Sequence, residues 1–131
     1  MTQDKILIVD DEKAILLLFE KAFSRAGYLV RTATSGKAAL SLLQNEEIHV
    51  VFSDLNLPEM DGLELCREIK KHMPITIIYA MTGYASLFQL VDCRDAGFDD
   101  YFKKPVNLEV LLKAAKDAFE KIKRWKKGQI K

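Results

Sequence analysis

The chain has little cysteine. Its two thiols, Cys66 and Cys93, come without a CxxC pair or a cysteine–histidine spacing, which excludes a disulfide framework and a zinc finger and leaves reduced thiols as the expectation. Long apolar runs are missing from the start as well. The polar opening MTQDK leads into ILIV, four residues that are far too short for a signal sequence or a membrane span. A cytoplasmic protein without a membrane segment is therefore expected. Neither charge sign dominates, with 20 basic and 19 acidic side chains, so a chain-wide nucleic-acid surface is not expected. Six glycines, three prolines and a 49% hydrophobic composition leave no room for a disordered or collagen-like chain.

What is present fits one domain. A length of 131 residues buries a real core without disulfides or metals. Charge is uneven along it. Residues 120 to 131, EKIKRWKKGQIK, hold six basic and one acidic side chain, a local +5, which leaves −4 for the rest of a chain whose net charge is +1. We expect a single domain over residues 1 to 131, with a core at about 4 to 122 and residues 123 to 131 forming a basic tail or trimmed linker.

Short apolar, β-branched runs at residues 5–9, 28–33, 48–53, 75–81 and 98–102 read as five strands. Between and after them lie segments with helical periodicity, at 12–26, 36–45, 63–72, 85–96 and 108 to about 125. Runs such as ILIV and HVVF are apolar on both faces, as strands covered by helices on either side must be. The expected fold is therefore α/β: one five-stranded parallel sheet with five helices, doubly wound and flavodoxin-like, in strand order 2-1-3-4-5. Boundary residues agree. Ser35 and Asn107 suit N-caps, Asp61 with Glu64 suits a capping box, Gly27 and Gly97 stand where helices should stop, and Pro74 and Pro105 mark breaks.

Ligands of open parallel sheets bind beyond the carboxyl ends of the strands. There the first strand offers Asp10 and Asp11, the third Asp54, the fourth Thr82, and the fifth Tyr101 followed by Lys103, Lys104 and Pro105. In the order 2-1-3-4-5 the first and third strands are neighbours, so three carboxylates crowd together and need a positive partner or raised pKa values. Mg²⁺ suits such a site, since it takes carboxylate and carbonyl oxygens and keeps several waters. Lys104 supplies a second positive charge. A carboxylate in this setting can attack phosphorus and form an acyl phosphate. Asp54 is the expected nucleophile, Asp10 and Asp11 the metal acids, and the Thr82 hydroxyl a donor to a phosphoryl oxygen, with Gly83 leaving the approach open.

The blocks ILIVDDE, FSDLNLPEMDG (with Asp54, Pro58 and Gly62), AMTG and YFKKP together resemble the receiver domain of bacterial two-component response regulators, over about residues 4 to 122. The resemblance implies a signalling phosphoacceptor and not a true enzyme, its chemistry limited to its own phosphorylation and dephosphorylation. It implies Asp54 as phosphoacceptor, Mg²⁺ held by Asp10, Asp11, Asp54 and the backbone carbonyl of Asn56, and Lys104 as phosphate contact. Thr82 and Tyr101 become a switch pair that alters the face of the fourth helix, fifth strand and fifth helix. Implied partners are a sensor histidine kinase or histidine phosphotransfer protein and a possible homodimer through that face, without membrane or direct nucleic-acid binding.

Two positions depart from the family pattern. Phe88 stands where a charged residue is usual and Arg94 where an apolar one packs on the sheet, so we expect either a shifted register for the fourth helix or a partner surface at Phe88. Tyr84, two residues past Thr82, is expected to slow attack by water on the acyl phosphate. Competing readings are a haloacid-dehalogenase-type phosphohydrolase, which needs an acid where this chain has Asn56, a nucleic-acid binder acting through the basic end, and a module working by constitutive contacts. Asp11 also reads as a plain helix cap.

Overall fold

In the computed structural model, which describes residues 4–83 and 86–129, strands and helices alternate along the chain. They are β1 (Lys5–Val9), α1 (Lys13–Arg25), β2 (Leu29–Ala33), α2 (Gly36–Asn45), β3 (Val50–Asp54), α3 (Gly62–His72), β4 (Ile77–Thr82), α4 (Leu87–Ala96), β5 (Asp100–Lys103) and α5 (Leu108–Gln129). The strands form one parallel sheet in the order β2-β1-β3-β4-β5, as the sequence predicts.

Successive side chains of a strand point to opposite faces, so a run that is apolar throughout feeds two cores at once. Ile6, Ile8, Val50, Phe52, Tyr79 and Met81 pack under α1 and α5, against Leu16, Phe19, Phe23, Leu111 and Ala115. Their neighbours Leu7, Val9, Val51, Ile78 and Ala80 pack under α2, α3 and α4, against Leu43, Leu65, Ile69, Cys93 and Ala96. Each fully buried Leu, Ile or Phe contributes about 1.5–3 kcal/mol of hydrophobic stabilisation. The two cysteines belong to this second core. Both are free and buried, and burial pushes the Cys66 thiol up to about 12 and raises that of Cys93, which leaves them unreactive.

Caps fall where their chemistry predicts. The Ser35 hydroxyl accepts from the Ala38 N–H at 3.1 Å, Asp61 Oδ1 from the Glu64 N–H at 2.8 Å, and Asn107 Oδ1 from the Glu109 N–H at 2.9 Å. Gly97 ends α4 with φ +110°, a left-handed conformation that side chains disfavour. Other boundaries move. β3 and β4 run one residue further than their apolar runs, so that Asp54 and Thr82 are ladder residues, and β5 begins only at Asp100, leaving Phe98 as a core contact in the preceding turn. Helix α5 continues to Gln129, so residues 123–129 are helical.

Helix α4 resolves one departure from the family pattern. It turns Cys93 and Ala96 onto the sheet, 2% and 5% exposed, and leaves Arg94 in solvent. The register is shifted relative to a helix that buries position 94. A second cap not anticipated from the sequence holds its start, where the Ser86 hydroxyl accepts from the Gln89 N–H at 3.1 Å. The expected start at Ala85, the side chain of Phe88 and all of Tyr84 lie outside the described residues.

Candidate functional site

The carboxyl ends of β1, β3, β4 and β5 converge on one cluster. Asp10 follows β1 directly and is fully buried, with its N–H donating to the Ala33 carbonyl at 3.1 Å and its Oδ1 accepting from the Glu12 N–H at 2.9 Å. Asp54 closes β3, 5% exposed, and its Oδ1 accepts from the Asn56 N–H at 3.3 Å. Lys104 reaches both acids from beyond β5. Its Nζ lies 3.0 Å from Asp10 Oδ2 and 3.3 Å from Asp54 Oδ2. The Lys104 N–H donates to the Thr82 carbonyl at 2.7 Å, and the Lys104–Pro105 peptide is cis.

One ammonium thus serves two buried carboxylates, and the balance shows in their acidities. Burial pushes the Asp54 carboxyl above its ordinary value, and the negative charge of Asp10 adds to that push. The Lys104 charge and the Asn56 N–H offset it only in part. Burial pulls the Lys104 ammonium down, but the hydrogen bond and charge of Asp10, followed by those of Asp54, outweigh it and leave Lys104 above its ordinary value. Lys104 stays charged at neutral pH, while Asp54 is a more basic, hence more nucleophilic, carboxylate than one in water.

Asp11 and Glu12 lie outside, both exposed. With Asp10 they form a group in which one carboxylate oxygen from each residue lies within 4.8 Å of the others, a hard-oxygen cluster of the kind Mg²⁺ takes. Glu12 was not among the expected site residues, although the run DDE directly after a strand carried the signal. The N-cap of α1 is Glu12, without a side-chain cap bond, so Asp11 is not the plain cap that a competing reading made it. Asp61 is a cap, as expected, and takes no part in the cluster.

The loop from β3 to α3 is tightly seated. A methyl at Gly62 would sit 2.5 Å from the Asp54 carbonyl oxygen and 2.8 Å from Leu55 Cα, and the Gly62 N–H donates to the Leu55 carbonyl at 2.9 Å. At Gly83, by contrast, a methyl would meet nothing within 4 Å. Glu59 adopts φ 66° in this loop, a conformation disfavoured outside glycine.

Thr82 and Tyr101 share the α4 side of the sheet. Thr82 is fully buried, two residues beyond Ala80, and Ala80 is the ladder partner of Tyr101. Tyr101 packs on the second core with its hydroxyl buried and, among the described residues, without a hydrogen-bond partner.

Residues 6–116 match the family described as the response regulator receiver domain. The chain belongs to this family. Among solved structures, the receiver matches a CheY-like response regulator receiver domain protein from Methanospirillum hungatei at TM-score 0.90 and 35% identity, over 94% of this chain and 98% of that one. It also matches the BeF3-activated receiver domain of DrrB, from Thermotoga maritima, at TM-score 0.83 and 35% identity, over 91% of this chain and 99% of that one. Among curated proteins it is 34% identical over 130 residues to the transcriptional regulatory protein GlrR of Escherichia coli, covering 95% of this chain and 29% of that protein. The chain spans less than a third of that relative. Receivers are signalling modules of two-component systems, which interact with histidine kinases and carry an acidic Mg²⁺ pocket. None of the described helices is long and apolar enough to cross a membrane.

Proposed function

We propose that this receiver takes a phosphoryl group onto Asp54, from the phosphohistidine of a sensor kinase or histidine phosphotransfer protein or from a small acyl phosphate, and passes the change to a partner. The observation that carries the reading is the pair of buried carboxylates sharing the Lys104 ammonium at 3.0 and 3.3 Å. In this reading an Asp54 carboxylate oxygen attacks phosphorus while the bond from phosphorus to the donor breaks. Lys104, already charged and in reach, stabilises the negative charge of the transferring group. Thr82 donates its hydroxyl to a phosphoryl oxygen.

The donor set fits Mg²⁺, which would be held by Asp10, Asp11, Asp54 and the carbonyl of Asn56, with Glu12 at its edge. When bound, it supplies charge neutralisation for the phosphoryl oxygens. Asn56 stands where a phosphohydrolase needs an acid, so release of phosphate is slow. Thr82 and Tyr101 act as the switch: movement of Thr82 toward the phosphoryl group changes the space into which the Tyr101 ring packs, and with it the face of α4, β5 and α5. Leu90 and Val91 on α4 and Val110 on α5 are exposed at 39%, 39% and 47%, apolar area that supports homodimer formation through these helices.

Incubation with acetyl phosphate and Mg²⁺, followed by intact mass, tests the reading. The wild-type chain and Asp61→Asn gain one phosphoryl group, since asparagine caps nearly as well as aspartate, whereas Asp54→Asn gains none. Equal incorporation in all three would refute it.

A further inference from the structure

Helix α5 outruns the body it packs on. The family match ends at residue 116 and the helix at Gln129. Its buried stripe of Leu111, Ala115, Ala118 and Ile122, none more than 3% exposed, follows the alternating four-and-three spacing of a heptad, and the next member of that stripe is Trp125. Trp125 is 41% exposed. In heptad terms Ile122 is an a position and Trp125 a d position, so Lys121 and Lys126 are the flanking g and e residues. Lys121 Nζ sits 5.6 Å from the Trp125 ring centroid. Lys123 and Lys126 reach back to Asp4 and Glu47 across 3.8 and 3.7 Å, long and solvent-exposed pairs of the kind that contribute little and exchange readily.

Charge decides what can cover this stripe. A second copy of α5 would set Lys121 against Lys126 in a parallel pair, and lysine against its own equivalent in an antiparallel one, so the charged contacts flanking Trp125 would be repulsive. A nucleic-acid duplex or an anionic bilayer is broad enough to meet the rest of the chain, which carries −4. A single acidic helix escapes both objections. We infer that the end of α5, from Lys121 to Lys127 with Trp125 at its centre, is a docking site for an acidic amphipathic helix of a partner protein. The apolar stripe of that helix covers Trp125, and its carboxylates pair with Lys121 and Lys126. The inference is independent of Asp54 chemistry.

Trp125 is the chain's single tryptophan, so its emission reports on the site directly. The intact chain is titrated with a synthetic three-heptad peptide carrying leucine at a and d and glutamate at e and g. A saturable blue shift is expected, weakened at least about tenfold by Lys121→Glu with Lys126→Glu and little changed by Lys113→Glu with Lys116→Glu, which lie earlier on the helix. A scrambled peptide of the same composition should give no saturable shift. Any of four results would overturn the inference: no shift with the patterned peptide, an equal shift with the scrambled one, indifference to the Lys121 and Lys126 reversals, or stronger shifts from duplex DNA or anionic vesicles. So would a dimer in sedimentation that Trp125→Ala dissolves, since a second copy would then be the occupant.

Discussion

Asp10 and Asp54 are both shielded from water, and among the described residues Lys104 is the one cation paired with either. The two carboxylates thus carry more negative charge than one ammonium offsets, an excess that a divalent cation would neutralise. Because burial first, and Asp10 second, raise the Asp54 pKa above its unfolded value, the native state holds that proton more tightly than the unfolded chain. Linkage then makes the ionised Asp54 a cost to stability. The cost grows as pH rises from the unfolded value through the raised one, and is absent at lower pH. Asp54→Asn should raise Tm at neutral pH without divalent ions, with the gain fading toward pH 4, as thermal melts across pH would read. Tyr101 presents a simpler case. Its hydroxyl is buried and unpartnered, so Tyr101→Phe loses no hydrogen bond and should leave stability unchanged or raise it by about 1 kcal/mol in denaturant melts. Neither the sharing of one lysine by two acids nor the orphaned hydroxyl is visible in a sequence, because both depend on strands whose residues lie far apart in the chain. The types and places of Asp10, Asp54, Thr82 and Lys104 were visible, since each follows or ends an apolar run.

At the scale of elements, the strands announced themselves through apolar runs and most helices through periodicity and caps, but their ends did not. Asp54 and Thr82 joined their strands because ladder pairing with Met81 and Lys103 continues past the hydrophobic residues, and Phe98 left β5 because Gly97 turns the chain before pairing resumes. Helix α4 was legible as a helix but not in register. Its apolar residues mark no single face, and only packing on the sheet selects Cys93 and Ala96 over Arg94. The β3–α3 loop carries the sharpest element-level test. Gly62→Ala would drive a methyl into the backbone of Asp54 and Leu55, which cannot yield as a flexible side chain would. It should cost about 1–3 kcal/mol and slow phosphoryl uptake, whereas Gly83→Ala, with open space around it, should cost far less at the same denaturant melt and the same kinetic trace.

In the whole molecule the reactive cluster and the basic end of α5 lie at opposite ends of the strands. Acids, threonine and lysine gather at the carboxyl ends of the strands, while the end of α5 lies beside Asp4 and Glu47 near the amino ends of β1 and β3. Such a layout keeps the far turn of α5 clear of the carboxylate cluster. The proposed signalling role rests on which carboxylate takes the phosphoryl group. Reducing the phosphorylated chain with borohydride converts an acyl phosphate to an alcohol, so the modified residue can be located by peptide mass. The account predicts homoserine at position 54 alone, dependent on Mg²⁺. Homoserine at position 10, 11 or 61, or none at all after phosphoryl uptake, would contradict it.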